Sequence, residues 1–124
     1  MNVPNNLVYT KTHEWIKIEG NNAKIGVTDF AQHEMTDIVH VEMPEIGTQI
    51  NKGQVILTME SVKSAFDIYA PLSGKIVEIN DYIVSNPEII NQSPYEKGYL
   101  FIIEISDKNE FDDLLSAKIY KSLI

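Results

Sequence analysis

Apolar and polar positions alternate along Glu14-Trp15-Ile16-Lys17-Ile18, break at Gly20-Asn21 and resume along Ala23-Lys24-Ile25-Gly26-Val27, which predicts two strands joined by a tight hairpin. At Asp29-Phe30-Ala31-Gln32 the pattern turns helical, with Asp29 placed to cap and Gln32 to close a capping box on a short helix ending near Thr36. Ile38-Val39-His40-Val41-Glu42-Met43 returns to strand and stops at Pro44. Strand-like runs follow at Gln54–Met59 and Ala65–Ala70, and Tyr99–Ile105 reads as a last buried strand. Between them, Asn86-Pro87-Glu88-Ile89-Ile90 suggests one helical turn with proline at its first position. The C-terminus, about 107–124, is expected to be helical: Asp107 and Glu110 cap a segment carrying Phe111, Leu114 and Leu115, and Ser116 starts another carrying Ile119, Tyr120 and Leu123.

Pro44-x-x-Gly47-x-x-Ile50 recurs as Pro71-x-x-Gly74-x-x-Val77, which suggests two similar β-motifs packed face to face. The run between them, Glu60-Ser61-Val62-Lys63-Ser64, must reverse the chain to join its flanking strands. Other reversals carry glycine, as at Gly20, Gly47, Gly53 and Gly74, whereas this one carries β-branched Val62 beside Lys63. A turn without the usual turn residues, offering a lysine at its apex, directs attention to function. The β-rich pattern with short helices favours a sandwich or flattened barrel over a doubly wound sheet.

Composition narrows the chemistry. At 124 residues, 44% apolar and 23% charged, the chain fits a single domain, 1–124, without linkers or low-complexity segments. No apolar run approaches the roughly 20 residues that span a bilayer. The N-terminal residues lack the basic start and apolar stretch of a signal peptide and the arginine-rich look of a transit peptide, so a cytoplasmic protein, or a mature mitochondrial-matrix form already trimmed, is expected. A net charge of −8 disfavours nucleic acid and anionic membrane surfaces and favours protein partners with basic docking faces. There is no cysteine, so the side chains supply no disulfide, thiolate nucleophile or sulfur-ligated zinc. Any thiol chemistry must come from an attached group.

Ordinary catalytic constellations find little support. His13, His33 and His40 lack metal-ligand spacing, and Ser61 lacks the glycines of a nucleophile elbow. Acid pairs such as Glu42 with Glu45 or Asp112 with Asp113 read as solvated surface, and Trp15 and the tyrosines as core. A catalytic lysine needs burial to depress its pKa, and an exposed apex offers none. Lys63 is therefore read as a lysine that is modified rather than one that reacts.

Glu60-Ser61-Val62-Lys63-Ser64 resembles the lipoyl-attachment motif of the glycine cleavage system H-protein family, and the likeness extends along nearly the whole chain. His13-Glu14-Trp15, Ile25–Gln32, Asp37–Glu45, Tyr69–Gly74 and Ser93-Pro94-Tyr95 are similar to that family's blocks, in the family's order. Three positions depart from it: Tyr99 where tryptophan is usual, Thr36 where glycine is common, and Phe66 where the residue is usually small or polar. These bear on docking and stability rather than on modification of the lysine.

The resemblance implies a mainly β lipoyl/biotinyl-type barrel-sandwich hybrid with a C-terminal helical extension, acting as a non-catalytic carrier and a monomer when free. Lipoate would be attached to Lys63 by lipoate ligase or octanoyltransferase, with Glu60, Ser61, Val62 and Gly74 similar to the recognition elements. The implied partners are glycine decarboxylase (P-protein), aminomethyltransferase (T-protein) and dihydrolipoamide dehydrogenase (L-protein). The arm would carry an aminomethyl group whose cationic amine needs a carboxylate, and Glu14 and Asp67 are the candidates. An alternative is a relay that donates lipoyl or octanoyl groups to the lipoyl domains of 2-oxoacid dehydrogenases. Those domains typically carry Asp-Lys-Ala, and biotinyl carriers flank their lysine with methionines, whereas Val62 and Ser64 flank this one.

Overall fold

The computed structural model describes residues Met1–Ile124. The elements in order are β1 (Val8–Tyr9), β2 (Glu14–Glu19), β3 (Asn22–Val27), α1 (Asp29–Met35), β4 (Ile38–Val41), β5 (Gln49–Ile50), β6 (Val55–Ser61), β7 (Ala65–Tyr69), β8 (Gly74–Ile79), α2 (Tyr82–Ser85), α3 (Ile89–Gln92), β9 (Phe101–Ile105) and α4 (Ala117–Leu123). A 3₁₀ turn, Lys108–Asp113, lies between β9 and α4. Two antiparallel sheets result, one ordered β1-β2-β3-β9-β8-β5 and the other β4-β6-β7.

The alternation in β2 and β3 becomes the expected hairpin, with Trp15 opposite Gly26 and Ile16 opposite Ile25. Both sheets contribute to one core: Ile16, Ile25 and Ile103 from the larger, Met59 and Ile68 from the smaller. Each such side chain, fully buried, stabilises the fold by about 1.5–3 kcal/mol. A second, aromatic core binds the chain's ends together. Trp15 is buried there and donates its indole N–H to the Pro94 carbonyl at 2.9 Å. Beside it, the Tyr9 and Tyr120 rings stack at 4.7 Å, and Tyr9 and Leu115 exchange two backbone hydrogen bonds of 2.8 Å.

Several expectations are corrected. Thr28, not Asp29, caps α1: its hydroxyl accepts from the Ala31 N–H at 3.1 Å, while Asp29 lies inside the helix and receives Gln32 Nε2 at 2.7 Å. The two Pro-Gly repeats do not stack face to face. β5 and β8 are neighbours in one sheet, with Ile50 opposite Gly74. Their matched glycines also do different work: Gly47 turns the chain at a φ of +95°, whereas at Gly74 an added Cβ would strike the Glu104 carbonyl of β9. Asp107 and Ser116 cap as expected, but Glu110 bonds to the Ser73 amide and hydroxyl, at 2.7 and 2.8 Å, instead of closing a box. On α4 only Tyr120 of the three apolar positions is buried, leaving Ile119 and Leu123 exposed. The helical turn after Pro87 forms as α3, whereas α2, with Ile83 its buried residue, is an addition. No helix is long and apolar enough to cross a membrane.

Candidate functional site

β6 and β7 pair from Val55–Tyr69 up to Glu60–Ala65, so Val62, Lys63 and Ser64 form the connecting tip. No residue of this tip adopts positive φ. The turn residue is Ser61: its Oγ accepts from the Lys63 and Ser64 amides, each at 3.1 Å, while its own amide bonds to the Ser64 carbonyl at 2.8 Å. A serine hydroxyl standing in for a backbone acceptor makes glycine unnecessary, which corrects the reading of a turn built without a turn residue. Val62 is exposed, and its N–H is braced by the Asp37 carbonyl at 3.0 Å.

That brace leads to the one strained position nearby. Thr36, between α1 and β4, has φ +63° and ψ −156°, a region that is essentially glycine territory. Asn91 of α3 holds the bend from both sides, donating to the Thr36 carbonyl at 2.8 Å and accepting from the Ile38 amide at 3.0 Å. Glycine would enter this geometry freely, whereas Thr36 meets it under strain.

Lys63 is exposed, and its Nζ reaches back to the Glu34 carbonyl at 3.4 Å. Glu34 stands on the wall of a cleft of about 440 Å³, which His13, Phe30, Phe66 and Asp67 also line. The amine thus rests at the lip of a largely apolar cavity carrying carboxylates, well suited to receive an alkyl arm anchored on that amine.

The expected site residues divide. Glu60, Ser61, Val62 and Lys63 stand together at the tip, and Asp67 follows on β7, its carboxylate held by the Thr58 hydroxyl at 3.2 Å. Gly74 stands apart in the larger sheet, where close packing against β9 already requires glycine. Glu14 is buried at 1% exposure, accepting from the Thr10 and Thr12 hydroxyls at 2.5 Å and from the Tyr69 amide at 3.4 Å. Burial pushes its carboxyl above the usual range, against the pull of those donors. It lines an adjoining pocket rather than the Asp67 cleft, and Thr12 borders both. The sequence reading left out Glu34, Phe30 and His13, which come to the cleft from α1 and from the bend before β2.

Two antiparallel sheets around a common core, with a lysine on a hairpin tip, define the barrel-sandwich carrier class of the lipoyl type. The profile of the glycine cleavage H-protein family matches residues 7–124. A glycine cleavage system H protein of Endomicrobium trichonymphae is 66% identical over 124 residues, covering all of both chains, and one of Staphylococcus haemolyticus is 50% identical, covering 100% of this chain and 98% of that one. A crystal structure of a glycine cleavage system H protein from Mycobacterium marinum superposes with a TM-score of 0.86 at 32% identity, covering 97% of each chain. The chain belongs to the glycine cleavage H-protein family.

Proposed function

We propose that this chain is the lipoyl carrier of the glycine cleavage system, with lipoate in amide linkage to Lys63, and that it is itself non-catalytic. The observation that carries the reading is the position of the Lys63 amine at the lip of the cleft, bonded to Glu34. The residues present fit the group. An exposed hairpin lysine is open to an attaching enzyme, and the cleft's apolar lining suits an alkyl chain. Lipoate held on Lys63 would supply a dithiolane disulfide able to accept the aminomethyl unit at glycine decarboxylase and surrender it at the aminomethyltransferase, the dithiol left behind being a substrate for dihydrolipoamide dehydrogenase.

The protein's own residues anchor, shelter and release. Ser61 fixes the tip so that the lysine projects, and tethering keeps the attached group at high effective concentration near each partner's site. Asp67 and Glu34 place negative charge in the cleft, where a cationic amine is held by charge-assisted hydrogen bonding. Glu14, enclosed by its threonines, lines the neighbouring pocket instead. The acidic surface favours partner enzymes and an attachment enzyme with basic docking faces. Residues 1–124 act in this reading as one carrier unit, its C-terminal segment folded back on β1.

Lys63→Ala tests it. The variant is expected to keep its melting temperature, since exposed substitutions away from special features stay within about 0.5 kcal/mol, and to lose glycine–bicarbonate exchange with the partner enzymes. Retained exchange overturns the assignment.

A further inference from the structure

His13 adopts a φ of +70°, a left-handed conformation that histidine, asparagine and aspartate tolerate better than most residues. The bend turns its ring toward two neighbours at once. One side packs on Phe30 at 4.8 Å between centroids, and Nδ1 lies 2.8 Å from the Tyr120 hydroxyl. That hydroxyl is in turn 2.8 Å from Thr28 Oγ1. Thr28 Oγ1 already accepts the Ala31 amide proton as the cap of α1.

The direction of this chain follows from counting hydrogens. Thr28 is fully buried, and Tyr120 is the acceptor within its reach, so its hydroxyl donates to Tyr120. Tyr120, also fully buried, then has His13 Nδ1 left as its acceptor. The reverse polarity would strand the Thr28 proton in the core, and a buried orphan donor costs far more than a net hydrogen bond gains. Nδ1 is therefore an acceptor. A neutral ring that accepts at Nδ1 carries its proton at Nε2.

We propose that His13 is a positioning residue for the arm: held as the neutral Nε2–H tautomer by the Thr28–Tyr120 chain, it offers a hydrogen-bond donor in the cleft to the amide carbonyl of an acylated Lys63. That carbonyl is the arm's one strong acceptor, and Glu34, which bonds the lysine amine, lines the same wall as His13. A neutral ring serves this role better than a charged one because it does not repel a cationic amine. Burial also lowers the ring's pKa below its ordinary value, while the facing Glu34 carboxylate pulls it upward. The groups facing the ring are Tyr120 from α4, Phe30 and Glu34 from α1, and Asp67 from β7 across the cleft. The arm contact rests on the lipoyl-carrier reading, whereas the ring's tautomer does not.

The test is long-range proton–nitrogen NMR on the histidine rings, first with unmodified protein and then with protein octanoylated at Lys63, the site confirmed by peptide mass. In unmodified protein at neutral pH, His13 is expected to be uncharged and protonated at Nε2. Octanoylation is expected to move the Nε2 proton downfield and slow its solvent exchange about two- to tenfold, the worth of one net hydrogen bond. Tyr120→Phe keeps the ring buried but removes the donor to Nδ1, and is expected to weaken the preference for the Nε2–H tautomer seen in the same spectra. His13→Asn suits the left-handed bend and keeps an acceptor for Tyr120, but its shorter side chain withdraws the donor from the place that Nε2 occupies. With lipoylated, reduced protein it is expected to fold normally and to raise the arm's alkylation rate by the same two- to tenfold. A ring charged or protonated at Nδ1 overturns the tautomer, and an unmoved Nε2 proton on octanoylated protein overturns the arm contact. Failure of acylation at Lys63 overturns the carrier reading and the arm contact with it, while the tautomer is decided on unmodified protein.

Discussion

The hairpin tip and the aromatic corner stand at opposite extremes. At the tip, Val62 is 68% exposed and the turn is held by one serine hydroxyl and a few backbone bonds. At the corner, Tyr9, Trp15 and Tyr120 are fully buried and their side-chain polar atoms are all bonded, the Tyr9 hydroxyl donating to the Pro4 carbonyl at 2.6 Å. The first region can be changed with little effect on the fold, the second hardly at all. A carrier gains from this division. On the proposed function, the anchor would have to enter partner enzymes and so could not be packed into its own core, while a cleft that shelters the arm would need a rigid wall. His13 and Thr28 lie at the junction, where the buried aromatics reach the cleft.

Breaking the corner gives the largest expected effect. Trp15→Ala removes a fully buried indole and is expected to cost about 3–5 kcal/mol in denaturant unfolding, a large share of the roughly 5–15 kcal/mol that holds an ordinary domain together. A loss below about 1 kcal/mol would mean that the corner is not the fold's anchor. Asp67→Asn leaves the fold intact but weakens the cleft's hold on a cation. Because Asp67 is exposed, the low end of the range for charged hydrogen bonds applies, about 1.5 kcal/mol, or roughly tenfold faster loss of the aminomethyl group from loaded protein. Decay at the wild-type rate would remove Asp67 from that role.

Two substitutions, one in the tip and one in the bend that braces it, are expected to move stability in opposite directions. Ser61→Ala deletes the acceptor shared by the Lys63 and Ser64 amides and is expected to cost about 1 kcal/mol. Thr36→Gly relieves a backbone that a β-branched residue enters only under strain, and is expected to gain about 1 kcal/mol after the added freedom of the unfolded chain is subtracted. Thermal unfolding of the pair, measured side by side, checks both signs.

Much of the fold was legible because local pattern and tertiary demand agree. Gly20-Asn21 marks a hairpin in any context, and the alternation through β2 and β3 leaves little choice of face. The reading failed where long-range contacts decide between local equals. Thr28 and Asp29 can both cap a helix, and Tyr120 at one side with Asn2, Gln32 and Tyr95 at the other settles which one does. The Pro-Gly repeat marks similar turns but does not say whether the following strands stack or pair. The hairpin tip that carries Lys63 was legible because its motif is contiguous. His13 was not, since its partner Tyr120 lies 107 residues away and nothing in the sequence announces their contact. Glu14 was singled out for its charge, but the threonines that enclose it become its partners only once the bend before β2 forms.

The central claim is that Lys63 carries the lipoyl arm, and the most direct measurement is peptide-level mass mapping of protein purified from its native source under lipoate-replete growth. The account predicts a lipoyl mass on the peptide containing Lys63, accompanied by thiol-reagent reactivity after reduction that the cysteine-free unmodified chain lacks. A lipoyl group on Lys52 or Lys75, or a fully unmodified chain, would contradict it.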